Sequence, residues 1–99
     1  MTFAEIKNKL EEELSTVDVL ALEPHFKRQA LFMVHKDMDV VELGARVATD
    51  DKEFIQTALS AQKLLKVSDE KMQDLLKDKQ KQYLFVIVQP FVFAQEILN

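Results

Sequence analysis

Apolar residues fill both alternating sets of positions between Tyr83 and Phe93, in the stretch Tyr-Leu-Phe-Val-Ile-Val-Gln-Pro-Phe-Val-Phe. Three β-branched residues follow one another from Val86 to Val88, and Pro90 limits a continuing helix, so the pattern favours an extended strand. A strand that is apolar on both sides needs a hydrogen-bonding partner and cover on two faces. This short chain has little material for both tasks, so we expect another molecule to cover one face.

Helix starts are marked by side chains that can accept hydrogen bonds from free backbone N–H groups. The predicted N-caps, each ahead of a run with helical apolar spacing, are Thr2 with Glu5, Asp18, Asp39 with Glu42, Asp50 with Glu53, and Ser68. They predict five helices, of which the first ends near Ser15 and the fourth near Gln62. Gly44, the only glycine of the chain, is expected to let another element approach the third helix closely.

Residues 30–35 are compatible with two structures. Apolar residues recur there at helical spacing, but Ala-Leu-Phe-Met-Val also fits a short buried strand. We favour the strand because segment 84–88 needs a pairing partner and 31–34 is the best apolar segment available. Residues 63–67 fit a further short strand. The sequence therefore predicts one α+β domain over 1–99, with a small antiparallel sheet of two or three strands packed on one face by about five helices.

Composition restricts the class of protein. The chain has 99 residues, of which 47% are hydrophobic and 30% charged, with one glycine and two prolines, as expected for one compact soluble domain. The absence of cysteine excludes disulfides, thiolate zinc sites and cysteine nucleophiles, and fits a reducing compartment. The N-terminal residues do not resemble a secretory signal, and no apolar run reaches membrane-spanning length. We therefore expect a cytoplasmic protein that does not associate with membranes.

The charge pattern argues against nucleic-acid binding. Thirteen Lys and Arg against seventeen Asp and Glu give a net charge of −4, which repels a phosphate backbone unless the cations are segregated. The densest basic stretch, residues 77–82, contains Asp78 and is expected to be a solvated turn. Two consecutive short helices over residues 39–62 suggest a winged helix, but the second offers only Lys52 and Lys63 as outward cations.

Candidate metal ligands alternate after the first predicted strand. His35, Asp37 and Asp39, with His25 as a fourth, can present nitrogen and carboxylate ligands to a divalent ion. Asp39 is already needed as an N-cap and Asp37 suits a turn, so we assign no metal site and no cofactor. A small-molecule- or metal-binding protein, or a minor hydrolase, that uses these four residues is kept as the alternative function.

Catalytic motifs are absent from the sequence. Asp50, Asp51 and Glu53 could act as paired carboxylates, but acids in the first turn of a helix explain them better. None of the three serines, Ser15, Ser60 and Ser68, lies in a Gly-x-Ser-x-Gly elbow, and one glycine cannot form a phosphate-binding loop. The sequence therefore favours a protein that is not an enzyme.

The C-terminal strand carries the predicted interface. With alternating side chains, Tyr83, Phe85 and Ile87 share one face, which is bulky and aromatic as in protein interfaces. Phe91 and Phe93 extend this face if Pro90 leaves the alternation unchanged. We predict a non-enzymatic interaction module that forms a homodimer through these five residues, with no other partner identified.

The chain also resembles a known bacterial family. The resemblance rests on Leu-Glu-Pro-His-Phe at 22–26, Asp-Val-Val-Glu-Leu at 39–43, the pair Asp50 and Asp51, Lys-Val-Ser-Asp-Glu at 66–70 and Val-Ile-Val-Gln-Pro-Phe-Val at 86–92. On these segments the chain is identified as similar to the family called domain of unknown function 2288. The resemblance implies a bacterial, cytoplasmic, stand-alone domain, and it brings neither an activity nor site residues.

Overall fold

The computed structural model describes residues 1–98, and within them the chain forms five helices and five strands. The helices are α1 (Phe3–Glu13), α2 (Val19–Lys27), α3 (Val40–Ala48), α4 (Lys52–Ser60) and α5 (Asp69–Leu75). The strands are β1 (Ser15–Asp18), β2 (Leu31–Val34), β3 (Leu64–Lys66), β4 (Gln82–Val88) and β5 (Phe91–Glu96). The predicted α+β class and the strand at residues 31–34 are confirmed.

The strands form a single sheet in the order β1-β4-β5-β2-β3. Only the β2–β5 pair is parallel, and the other three neighbouring pairs are antiparallel. The prediction of a two- or three-stranded antiparallel sheet was therefore wrong in strand number and in direction. β2 does not pair with β4 as expected, because the apolar run from Tyr83 to Phe93 contains two strands and the second, β5, lies between them.

Helices cover both faces of the sheet. One face, called here the three-helix face, packs against α1, α3 and α4 around buried residues that include Leu10, Leu43 and Val86. The opposite two-helix face packs against α2 and α5 and includes Leu22 and Met72. The prediction that helices cover only one face was wrong, and β4 is apolar on both sides because both of its sides enter a core.

Most predicted helix starts are confirmed. Thr2 and Glu5 form the reciprocal capping box, and the side chains of Asp18, Asp39 and Ser68 accept hydrogen bonds from the first turns of their helices. The start of α4 is displaced by one position from the predicted Asp50. Asp51 is the N-cap, while Asp50 has a φ of 58° in the turn before it.

The first helix ends two residues before the predicted Ser15. Residues 15–18 instead pair with β4 as edge strand β1, in the register Ser15 with Phe85 through Asp18 with Gln82. This pairing gives the backbone N–H and C=O groups of residues 15–18 hydrogen-bond partners on β4. In a longer helix, the same groups would have bonded within the helix. The sequence pattern did not reveal β1, because a four-residue edge strand has too few positions to show an alternation.

Gly44 lets α3 lie close to its neighbours, as predicted. A Cβ added at this position would lie 3.2 Å from Leu10 Cδ1 and 3.3 Å from Val88 Cγ2, which is tighter than ordinary side-chain contact. A larger side chain would therefore push α3 away from α1 and β4. Because Gly44 has no side chain, α3 packs closely against α1 and β4.

Arg46 joins the three helices of the three-helix face. Its guanidinium carbon lies 4.6 Å from the ring centre of Phe3 and 5.3 Å from that of Phe54. Its nitrogens also donate to Glu42 at 2.9 Å and to Asp51 at 3.1 Å. The cation thus contacts two aromatic faces and two carboxylates at once, so the Asp51 carboxylate that the sequence offered as a catalytic candidate has a structural role here.

Candidate functional site

The five predicted interface residues do not share one surface. Tyr83 is 0% exposed and Phe93 is 2% exposed, so both belong to the core. Phe85 and Ile87 are partly buried, and Phe91, at 38%, is the member of the set that is clearly exposed. The structure therefore does not provide the continuous patch that was expected, while dimerisation itself stays a prediction.

A tight turn explains why the set divides between the two faces. Gln89 and Pro90 connect β4 to β5, and Val88 pairs directly with Phe91 across the hairpin. Residues that pair across neighbouring strands point to the same side of a sheet. Phe91 and Phe93 therefore accompany Val88 and Val86 on the three-helix face, whereas Tyr83 points to the two-helix face.

An aromatic cluster lies at the hairpin end of the three-helix face. The ring centres of Phe32 and Phe91 are 5.7 Å apart with an edge-to-face geometry, and Phe93 lies 5.8 Å from Phe32 and 6.4 Å from Phe91. Phe93 is buried, and Phe32 is partly buried. We call the outer pair, Phe32 and Phe91, the aromatic patch.

The four candidate metal ligands take part in local structural contacts. His35 Nδ1 lies 3.1 Å from the backbone N–H of Asp37, and its ring lies 3.4 Å from the Asp37 carboxylate. Asp39 accepts from the backbone N–H groups of Val41 and Glu42 as the N-cap of α3. Among residues 1–98, no three His, Cys, Asp or Glu side chains are close enough together to hold a metal ion. The geometry therefore gives the alternative function no support.

His25 lies apart from these residues, on α2. Arg28 Nη2 is 2.9 Å from its Nδ1, and its ring centre is 5.6 Å from that of Phe85 on β4. An arginine can only donate, so Nδ1 accepts and the neutral ring carries its proton on Nε2. Burial, and next the charge of Arg28, lower the pKa of His25 below its usual 6.5.

Gln95 is an important polar residue that the sequence analysis missed. Its side chain is buried on the three-helix face, where Nε2 donates to the backbone oxygens of His35, at 2.8 Å, and Met38. Both acceptors belong to the loop between β2 and α3. A signal was present in the sequence, because a glutamine within a strongly apolar strand predicts a buried hydrogen bond.

The described helices include none with the length and the hydropathy that a membrane span requires. Two large apolar side chains of the described strands are clearly exposed: Leu65 on β3, and Phe91, which belongs to the aromatic patch. Its two rings project from β2 and β5, which are neighbouring parallel strands.

Comparison with known proteins places the chain in a family. Residues 5–96 match the family model described as Protein of unknown function (DUF2288). The fold is similar to the NMR solution structure of PA1075 from Pseudomonas aeruginosa, with 32% sequence identity and a TM-score of 0.82 over 96% of this chain and 87% of that chain. The comparison with curated proteins found no match. These findings agree with the resemblance seen in the sequence: the chain belongs to the DUF2288 family of proteins of unknown function.

Proposed function

We propose that the protein is a non-enzymatic interaction module that forms a homodimer through the aromatic patch of Phe32 and Phe91. The observation that supports this proposal is the exposure of Phe91, which is 38% accessible although it stands at the edge of a continuous aromatic cluster. Aromatic side chains are enriched in protein interfaces because they bury a large area with few rotatable bonds.

The buried members of the predicted set support a smaller interface than the sequence suggested. Tyr83 and Phe93 have their apolar area covered inside the subunit, so they gain nothing further from association. Phe91 and the partly exposed Phe32 and Val88 still have area to lose. The proposed interface is therefore confined to the hairpin end of the sheet.

A second copy of the chain fits this patch better than a large partner does. A stable interface commonly buries about 800 Å² on each side, which three apolar side chains do not reach. A two-fold contact sets the patch against its own copy, so two apolar surfaces meet and no matched charges are needed. We therefore expect weak association, with a dissociation constant of about 10 μM or above.

The polar candidate residues give no competing support for catalysis. Asp39 and Asp51 cap helices, and Asp51 also binds Arg46. His25 accepts from Arg28, and His35 contacts Asp37. Each of these side chains thus has a local structural partner.

Analytical ultracentrifugation between about 10 μM and about 1 mM protein tests the homodimer. We expect the average mass of the wild type to rise with concentration, and Phe91→Ser to remain a monomer with an unchanged circular dichroism spectrum. The matched control is Leu20→Ser, because Leu20 is 50% exposed and lies on α2, over the opposite face. This variant should associate like the wild type.

Two results would contradict the proposal. One is a wild type that stays monomeric over the whole concentration range. The other is an equal loss of association in Leu20→Ser and Phe91→Ser, which would show that the contact does not depend on the aromatic patch.

A further inference from the structure

Helix α5, with its N-cap and the loop after it, forms what we call the α5 segment, residues 68–80. It lies on the two-helix face, where Met72 and Leu75 are buried, Leu76 is partly buried and its other residues are exposed. We propose that the α5 segment is a lid, which opens as a unit and exposes Tyr83 while the sheet and the other four helices stay folded. This lid is separate from the aromatic patch and does not depend on the proposed homodimer.

Polar contacts do not tie the α5 segment to its surroundings. Within residues 1–98, no hydrogen bond or ion pair joins it to another part of the chain. Its backbone bonds are internal, as in the one from the N–H of Met72 to the oxygen of Ser68 at 2.9 Å. Its ion pair, between Lys77 and Asp74, is internal as well. The closed position therefore depends on the apolar contacts of the buried side chains.

The other four helices are tied more firmly. Those of the three-helix face are joined by the ion pair of Lys7 with Glu42, at 3.3 Å, and by the contacts of Arg46. Helix α2 is followed closely by Ala30, whose backbone oxygen accepts from the N–H of Val92 on β5 at 2.9 Å. The α5 segment is thus the part of the two-helix face that can leave the sheet without breaking a hydrogen bond to it.

Both ends of the α5 segment are fixed, so its opening has defined limits. Just before it, the N–H of Val67 donates to the oxygen of Leu31 at 3.0 Å. Just after it, Lys81 Nζ lies 2.7 Å from Glu96 Oε1. The helix between them has seven residues, whereas isolated helices below about 12 residues are marginal in water. Once its buried side chains leave the core, the helix should therefore unfold as one unit.

Tyr83 lies beneath this lid. It shares a core with the two buried side chains of α5, and it is 0% exposed. Burial and Glu96 are the main causes that raise the pKa of its phenol, and Asp78 and Asp74 of the lid add to them, as expected for a phenol close to this segment. Among the described residues its hydroxyl has no hydrogen-bond partner. Opening returns the hydroxyl to water, which favours the open state.

Native-state hydrogen exchange of the wild type, followed by NMR at low urea concentrations, tests the lid. We expect the amides of α5 to share one equilibrium constant for opening and to exchange at least about tenfold faster than those of β4 and β5. Their exchange should also depend less on urea, because the lid exposes less surface than global unfolding does. This series needs no variant and so does not depend on the folding of one.

Two substitutions separate lid opening from global unfolding. Met72→Ala removes an anchor of the lid and should raise the exchange of the α5 amides by about thirtyfold or more. The matched control is Ala45→Gly, because Ala45 is 0% exposed in the three-helix core. It should raise the exchange of β4 and β5 about fivefold and leave that of α5 unchanged.

The exposure of Tyr83 is measured by its nitration with tetranitromethane, since it is the only tyrosine of the chain. The rate should rise in Met72→Ala together with the exchange of α5, and stay unchanged in Ala45→Gly. Phe91→Ser should leave both measurements unchanged, so the lid and the homodimer are tested separately.

Three results would overturn the lid. One is equal exchange and equal urea dependence in α5 and in the strands. The second is an equal acceleration of both in Ala45→Gly, and the third is a nitration rate of Tyr83 that follows the strand amides instead of α5.

Discussion

At the scale of single residues, Tyr83 places a polar hydroxyl in the apolar core of the two-helix face. The residue is 0% exposed, and none of the described side chains or backbone groups forms a hydrogen bond with its hydroxyl. Burial, and next the nearby Glu96 carboxylate, raise the pKa of this phenol above its usual 10. The ring stabilises the core, while the hydroxyl loses its hydration without a replacement.

Tyr83→Phe removes only the unpaired hydroxyl. We expect the free energy of unfolding to stay the same or to rise by up to about 1 kcal/mol, measured by urea denaturation at neutral pH. Tyr83→Ala, which also removes the ring, should lose about 3 to 5 kcal/mol. A clear loss of stability in Tyr83→Phe would instead show that the hydroxyl has a hydrogen-bonding partner.

The raised pKa of Tyr83 adds a pH dependence. Because the unfolded phenol releases its proton first as the pH rises above 10, the wild type should lose stability there. Tyr83→Phe lacks this ionisation and should show a smaller decrease over the same range.

His25 is the second residue whose pKa is shifted by its surroundings. We expect its ring to titrate below pH 6.5 in an NMR experiment, and Arg28→Gln to move the midpoint only part of the way back, because burial is the larger cause. The unfolded chain binds the proton first as the pH falls through 6.5, so this residue's contribution to stability should decrease there. A midpoint at or above 6.5 would contradict the burial of the ring as well as the effect of the neighbouring Arg28 charge.

At the scale of elements, Gln95 ties the loop between β2 and α3 to the sheet. Its amide donates to two backbone oxygens, so Gln95→Leu leaves both partly buried acceptors without this donor. We expect a loss of about 1 to 3 kcal/mol in the free energy of unfolding. Hydrogen exchange should increase first in residues 35–39.

Gln95→Glu keeps the shape of the side chain but replaces the amide that donates the two hydrogen bonds. It therefore tests whether the amide hydrogens or the side-chain shape stabilise the loop. An ionised carboxylate faces two carbonyl oxygens, so the pKa of the new side chain should be raised and stability should fall as the pH rises through that pKa. We expect this variant to be closer to the wild type at pH 4 than at pH 7. An equal difference at both pH values would mean that the amide hydrogens are not needed.

Helix starts were predictable because capping is local. Asp39 and Ser68 accept from residues two or three positions away, so the sequence contains both partners of each bond. Asp51 differs, because its backbone N–H donates to Arg46 at 2.9 Å and its side chain binds the same arginine. These contacts between α3 and the start of α4 fix the turn, and the capping pattern at Asp50 does not contain them.

At the scale of the whole molecule, β4 contributes side chains to both cores. Val86 enters the three-helix core, and Tyr83 enters the two-helix core. Either helical layer that separates from the sheet exposes one side of this strand. The two layers should therefore unfold together.

The fluorescence of Tyr83, the only tyrosine in a chain without tryptophan, reports on the two-helix core, while circular dichroism reports on the helices of both faces. We expect both signals to give the same denaturation midpoint. Leu22 and Leu43 lie one in each core, and both are 0% exposed. Leu22→Ala and Leu43→Ala should each lower the free energy of unfolding by about 2 to 5 kcal/mol, by the same amount in both signals. Separate midpoints would show that the layers unfold independently.

The sequence by itself determined the α+β class, the five helices and most of their caps, because these depend on neighbours in the chain, whereas the strand at 31–34 was favoured over a helix only because the C-terminal apolar run needed a pairing partner. It also located the apolar run from Tyr83 to Phe93. Only the tertiary structure decided that this run is two strands and that helices cover both faces of the sheet. Strand order and the assignment of side chains to faces depend on pairing between residues far apart in sequence, which a one-dimensional hydrophobic pattern does not specify.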